Sequence, residues 1–284
     1  MLPKIGFSLE KQYDLPITQV ISLLKKAGFS TVSPVWTPEL DLPALAASVK
    51  AQGMTIQSLH APHKGVPLLW EPDSPLAAAP QKAMLQCIDD CARFHIPILV
   101  VHGWQGLIYI FPDKTPDFRF FDTLVAHAKS CGVSVAFENL EGEEYLQALM
   151  SRYRNQGHVG FCWDSGHDHC YPHRLDFLKE FGDRLIMTHL NDNLGTRSPK
   201  GTAAAEDDLH FLPYDGNLDW DFALNRLKTL PKQTTLNFEL KISSHSKDAR
   251  DLLYAHTPLE QFIAEAGKRA QRIARKYAAI VSIT

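Results

Sequence analysis

Ile98-Leu99-Val100-Val101-His102 is an uninterrupted apolar run that closes on an ionisable side chain. A strand with one face in water alternates apolar and polar residues. A run that is apolar at each position fits a strand covered on both faces, as in a parallel sheet wrapped by helices. The same form recurs along the chain. Strands are expected over residues 4–9, 31–36, 55–60, 98–102, 133–138, 158–164, 185–190 and 235–240. Amphipathic segments separate them, giving helices over about 16–27, 41–53, 76–94, 118–130, 143–154, 174–181, 220–229 and 258–277. Asp41 stands in a capping position with Pro43 in the first turn, where a missing N–H costs nothing. Gly28, Gly53, Gly132, Gly157 and Gly182 stand where helices are expected to stop.

Strand–helix pairs of about 30 residues each, in strict alternation, argue for a closed parallel barrel. The fold expected is α/β, a single (β/α)8 TIM barrel taking up residues 1–284, with no linker or composition shift to mark a second domain. An open doubly wound sheet is the alternative. It usually carries a glycine-rich phosphate turn after its first strand, and Phe7-Ser8-Leu9-Glu10-Lys11 has none.

The bulk composition narrows the partners. Of 284 residues 45% are hydrophobic, enough for a full core, and the net charge is −3 with both signs interspersed. Such a balance gives no general attraction to nucleic acid. There is no apolar leader at the start and no run of about 18 apolar residues, so a soluble, cytoplasmic protein without a membrane segment is expected. Five cysteines, none in a Cys-x-x-Cys pair, read as buried free thiols rather than a disulfide framework.

Six expected strands, from the third to the eighth, carry a histidine or carboxylate at the last or next-to-last position: His60, His102, Glu138, Asp164, His189 and Glu239. In a (β/α)8 barrel those ends form the floor of the active site. Inward carboxylates repel one another and lose hydration, a cost that a bound cation removes. Asp164-Ser165-Gly166-His167 adds His167 three residues beyond a strand end, and Asp208-Leu209-His210 adds two more donors in the following loop. The acidic run Glu206-Asp207-Asp208 also fits a solvated loop, and each residue singly fits a structural hydrogen bond.

The motifs Ser58-Leu59-His60-Ala61-Pro62-His63, Val101-His102-Gly103, Phe137-Glu138-Asn139, Trp163-Asp164-Ser165-Gly166-His167, Thr188-His189-Leu190-Asn191-Asp192-Asn193 and Asn237-Phe238-Glu239 span the chain. With them the sequence resembles the xylose isomerase-like TIM barrel superfamily, which includes sugar phosphate isomerases/epimerases and endonuclease IV. The epimerase branch implies one divalent ion held by Glu138, Asp164, His189 and Glu239, with His167 on a substrate oxygen. The endonuclease branch implies zinc ions held by all nine positions: those four with His60, His102, His167, Asp208 and His210. The chain departs from the superfamily's usual Pro-Gly-x-Gly, reading Pro213-Tyr214-Asp215-Gly216, and His63 stands where many relatives have tyrosine.

Two chemistries follow. Three carboxylates and one imidazole suit Mn, Mg or Co, which polarise a carbonyl while Glu138 and Glu239 move protons through an enediolate. This is a metal-dependent isomerase or epimerase of a small sugar, sugar phosphate or related polyol. A dehydratase on the same barrel uses the same proton removal. Nine donors exceed one ion's capacity, and five imidazoles favour Zn, giving a multi-zinc phosphoesterase as the alternative. The loops are poor in bases, Arg197 and Lys200 being the clearest pair, which favours a small carbohydrate-like substrate over nucleic acid. Trp70 and Trp104, on rim segments, are expected to stack on a sugar ring, with Arg197 as a further substrate contact. Homodimers are common in the superfamily, and a homodimer here is an expectation by analogy.

Overall fold

A computed structural model describes residues 2–10, 13–106, 116–171, 173–197, 204–242 and 249–282. The chain alternates strand and helix as expected. In order it runs β1 Lys4–Leu9, α1 Ile17–Lys26, β2 Thr31–Pro34, α2 Leu42–Ala51, β3 Thr55–Ile56, β4 Ser58–His60, α3 Ala78–Arg93, β5 Ile98–His102, α4 Arg119–Ser130 and β6 Ser134–Glu138. It continues with α5 Glu143–Arg152, β7 Val159–Asp164, α6 Ser165–Cys170, α7 Phe177–Phe181, β8 Leu185–His189, α8 Trp220–Leu227, β9 Thr235–Phe238, α9 Ala249–Ala255 and α10 Leu259–Val281.

All strand pairings are parallel, in the orders β3-β2-β1-β9 and β4-β5-β6-β7-β8. Parallel bridges Val35↔His60 and Leu190↔Phe238 join the two sheets into a ring. The third expected strand is split into β3 and β4 at Gln57, whose N–H still bonds Val32 O at 2.9 Å, so the course is continuous. Helix α2 starts as its sequence dictates, Asp41 accepting from the N–H of Ala44 at 2.9 Å. Gly28, Gly53 and Gly132 take positive φ beyond helix ends, whereas Gly182 keeps a right-handed φ of −64° and starts a further short turn. Gly157 is not among the positive-φ glycines either, so the cap expected at these two positions is absent.

Most of the buried apolar surface lies between strands and helices. Inside the ring the lumen has two characters. Successive side chains alternate faces along a strand, so residues two apart share one. Val100, Ala136, Cys162 and Met187 form a separate buried apolar cluster, each two residues below His102, Glu138, Asp164 and His189 respectively. Each large member of such a plug contributes about 1.5–3 kcal/mol. On the opposite side the filling is polar. Asn237 Nδ2 donates to Ser8 Oγ at 2.8 Å, Ser33 Oγ donates to Asn237 Oδ1 at 3.3 Å, and Thr31 Oγ1 donates to Gln57 Oε1 at 3.2 Å. Gly6 is required in this network: a Cβ there would lie 2.4 Å from Thr31 Oγ1 and 2.7 Å from Asn237 Oδ1. Among the described residues no helix is long and apolar enough to cross a membrane.

Candidate metal centre

Strand register brings the donors to one level. His102 pairs with Glu138 across β5 and β6, and Asp164 pairs with His189 across β7 and β8. Glu138 is the hub. Its Oε2 lies 3.2 Å from both His60 Nε2 and His102 Nε2, and its Oε1 lies 2.7 Å from His189 Nδ1. The same Nδ1 is 2.9 Å from Glu239 Oε2. Asp164 caps α6, accepting from the N–H of His167 at 2.7 Å, and this short helix folds His167 back over the strand ends. Asn191 Nδ2 donates to both oxygens of Asp164, at 3.1 and 2.9 Å. That approach depends on Gly166, where a Cβ would fall 1.8 Å from Asn191 Oδ1.

All nine donors expected from sequence converge. Glu138, Asp164, His189 and Glu239 place one ligand atom each within 4.8 Å of one another, as do His167, Asp208 and His210, and also His60, Glu138 and His189. His102 joins through Glu138 Oε2. His167 Nε2 and His210 Nε2 lie 3.6 and 3.0 Å from Asp208 Oδ2.

The donor set suits metal. Backbone carbonyls only accept, so three imidazoles have their tautomer fixed: Nδ1 of His60 donates to Ala61 O at 2.7 Å, that of His167 to Asn139 O at 3.0 Å, and that of His210 to Glu239 O at 3.1 Å. In the neutral ring each Nε2 then presents its lone pair to a carboxylate cluster, the outer-shell arrangement that orients metal-ligating histidines. Asp208 Oδ1 is buried and has no hydrogen-bond partner among the described residues.

Electrostatics follow from burial. Burial would raise Glu138, but the charge of His189 and the bonds from His102, His189 and His60 hold it well below the usual carboxylate range. Asp164 is pushed up to about 6, by burial first and by Glu138 and Glu239 further, against the pull of His167 and His210. Burial opposes the charged form of His189 and His167, yet neighbouring acidic groups hold both well above an ordinary imidazole. Burial lowers His102, partly offset by Glu138. Protons on His189 and His167 thus compensate the carboxylates, a role that a divalent ion would take over.

Above the centre opens a cavity of about 610 Å³, lined by Glu239, His60, His102, His167, Asp208 and His210. Its walls also include Glu10, Glu141, Tyr171 and Lys241, none of which sequence reasoning singled out. Glu10 directly follows a strand end, a signal that could have flagged it. Glu141 sits in the run Glu141-Gly142-Glu143-Glu144, which reads as solvated loop.

The expected substrate contacts other than His167 fall elsewhere. Trp70 is buried behind the wall, its indole N–H bonding Gly103 O at 2.9 Å and its ring packed on Phe118, Phe121 and Tyr145. Trp104 stacks on Tyr145 at 4.4 Å. Arg197 bonds Asp207, with its backbone N–H at 3.1 Å and Nε at 3.3 Å. None of the three lines the cavity: the two indoles fill the layer between strands and helices, and Arg197 is held by Asp207. Lys200 lies outside the described residues. Tyr214, at the position of the missing glycine, adopts φ +75°, with its N–H bonded to Asp192 Oδ2 at 2.8 Å and Arg272 over its ring at 4.1 Å.

Fold and donor set together define a (β/α)8 barrel with metal-type side chains at the C-terminal rim. A profile of the xylose isomerase-like TIM barrel matches residues 21–257, and the chain belongs to that family. An uncharacterized protein of Sinorhizobium fredii, y4fM, is 30% identical over 313 residues, covering 92% of this chain and 94% of that one. Among solved structures, a D-tagatose 3-epimerase-like protein superposes with a TM-score of 0.68 at 17% identity, covering 99% of this chain and 98% of that one. The 3-keto-D-glucoside 4-epimerase YcjR of E. coli gives 0.65 at 16%, covering 99% of each. A xylose isomerase domain protein of Planctomyces limnophilus gives 0.67 at 14%, covering 98% and 97%. At these identities the likeness is one of fold.

Proposed function

We propose that this chain is a divalent-metal-dependent isomerase or epimerase acting on a small sugar or related polyol. The observation that carries the reading is the pair of carboxylates, Glu138 and Glu239, on one imidazole at 2.7 and 2.9 Å, beneath a cavity of about 610 Å³. That volume suits a monosaccharide-sized ligand. Glu138, Asp164, His189 and Glu239 would hold an ion of the Mn, Mg or Co type. Bound there, it supplies polarisation of a substrate carbonyl and so acidifies the neighbouring C–H.

The chain's own residues then divide the work. Glu239 lines the cavity, and His189 and His210 favour its ionised form against burial, so it is the group placed to remove a proton from carbon. Glu138 is 1% exposed and surrounded by His60, His102 and His189. It does not line the cavity, so the acid–base role expected of it from sequence gives way to holding the ion and the three imidazoles. His167 reaches the cavity with its Nδ1 anchored, leaving Nε2 for a substrate oxygen. The test is solvent-deuterium incorporation into ketoses by the manganese-loaded protein. Incorporation abolished in Glu239→Gln supports the assignment; incorporation at the wild-type rate in that variant would overturn it.

A second reading rests on a separate observation, the His167–Asp208–His210 group with its fixed tautomers beside His60 and His102. It is a multi-zinc phosphoesterase resembling endonuclease IV. Metal analysis separates the two: one ion per chain supports proton transfer, whereas two or three tightly held zinc ions, with cleavage of an abasic-site duplex, would replace it. The described cavity wall has four carboxylates, one lysine and no arginine, which weighs against a polyanion.

A further inference from the structure

Glu141 is 8% exposed, yet it lines the cavity. Its Oε1 accepts the backbone N–H of Gly106 at 2.6 Å, which fixes the carboxylate in place. Its Oε2 is buried and has no hydrogen-bond partner among the described residues. A buried acceptor left unpaired costs about 1–3 kcal/mol, and more when it carries charge, so such a group points to a ligand that supplies the missing donor. Tyr171 stands close by: burial first, then the charges of Asp208 and Glu141, hold its phenol well above the ordinary range. No ammonium or guanidinium among the described lining residues faces this end. The one lining lysine, Lys241, lies instead near Glu10, whose carboxyl burial raises and Lys241 only partly offsets.

We infer that Glu141 Oε2 is a specificity contact, accepting a hydrogen bond from a hydroxyl or amino group of the substrate at this wall of the cavity. The inference rests on the isomerase reading and narrows it: the substrate is an unphosphorylated or amino polyol. A phosphate brought to this wall would meet a fixed carboxylate with no described cation to pair with, a like-charge juxtaposition that rejects the ligand rather than merely failing to bind it. A donor, by contrast, completes a charge-assisted hydrogen bond to a buried carboxylate oxygen.

The experiment uses the manganese-loaded full chain and calorimetric titration with D-fructose, D-psicose, D-tagatose, their 6-phosphates, and 1-amino-1-deoxy-D-fructose. The expected result is that at least one free or amino sugar binds on the order of 10-fold or more tighter than the phosphate esters. Glu141→Ala should weaken that ligand by on the order of 10-fold and narrow the gap to the phosphates. Glu141→Gln, which keeps an acceptor for Gly106, should lie between the two, with melting temperature as the control for folding. Tighter binding of an amino sugar than of its hydroxyl counterpart would identify the donor as ammonium; the reverse order identifies a hydroxyl. Equal affinity of both variants and wild type, preference for the phosphates, or failure of all these sugars to bind would overturn the inference. Solvent-deuterium exchange in the same samples is scored separately. Binding with the stated preference but no exchange would sink the isomerase reading and leave the contact standing.

Discussion

The two sides of the barrel lumen solve the same packing problem in opposite ways. Strands β5 to β8 plug it with Val100, Ala136, Cys162 and Met187, and set ionisable donors on top. Strands β1, β2 and β9 fill it with Ser8, Ser33 and Asn237, whose polar atoms satisfy one another. The first side has an electrostatic demand that the protein meets by protonating His189 and His167; the second has none. A metal should therefore matter greatly to one side and little to the other.

The largest effect expected is from Glu138→Ala, which removes the carboxylate shared by three imidazoles. Bound metal should fall well below stoichiometric and turnover by on the order of 10³-fold, measured by elemental analysis and steady-state kinetics. Chelation of the wild-type protein comes next. At ligand 100-fold above its dissociation constant the ion adds about 2.7 kcal/mol. Its removal should lower the melting temperature and speed amide exchange in β6 to β8 more than in β1 and β2. Uniform loss of protection would break the contrast between the sides.

On the other side, Asn237→Ala deletes bonds to Ser8 and from Ser33 within a buried network. It should cost about 1–3 kcal/mol in denaturant unfolding and leave metal content unchanged. Asp208→Asn sharpens the count of ions: under the one-metal reading turnover changes less than about 10-fold, since the Asp208 carboxylate is not among the four principal donors. A collapse comparable to Glu138→Ala would favour the multi-zinc reading.

The smallest effect lies in the helical shell. Burial would lower His173, but Asp168, 3.1 Å away, raises it to about 9. A raised histidine stabilises fully below its unfolded value of about 6.5, and the contribution is lost as pH rises through about 9. The stability difference between wild type and Asp168→Asn should therefore shrink over that window in urea titrations.

Much of this contrast could be seen in the chain beforehand. His102, Glu138, Asp164 and His189 each end an apolar run, and period-two alternation sends them to the face of the residue two before. The polar side was not legible, because Ser8, Ser33 and Asn237 acquire meaning only across the ring closure, with Ser8 and Asn237 separated by 229 positions. Trp70 and Trp104 misled for a related reason: sequence places an aromatic near a rim but does not say whether it turns outward to the cavity or back toward α4 and α5. Glu141 was hidden by composition, since an acidic run looks alike whether hydrated or folded against a wall.

The pairing of β1 with β9 has a consequence for how the protein is made. Lys4 lies against Thr235 and Phe7 against Phe238, so β1 waits through the synthesis of the other described strands until β9 completes its set of neighbours. Glu239 arrives with that final strand, its N–H bonded to Leu190 O at 3.1 Å. Under the proposed metal-dependent function, the fourth donor of the set, and its third carboxylate, is therefore delivered only when the ring closes.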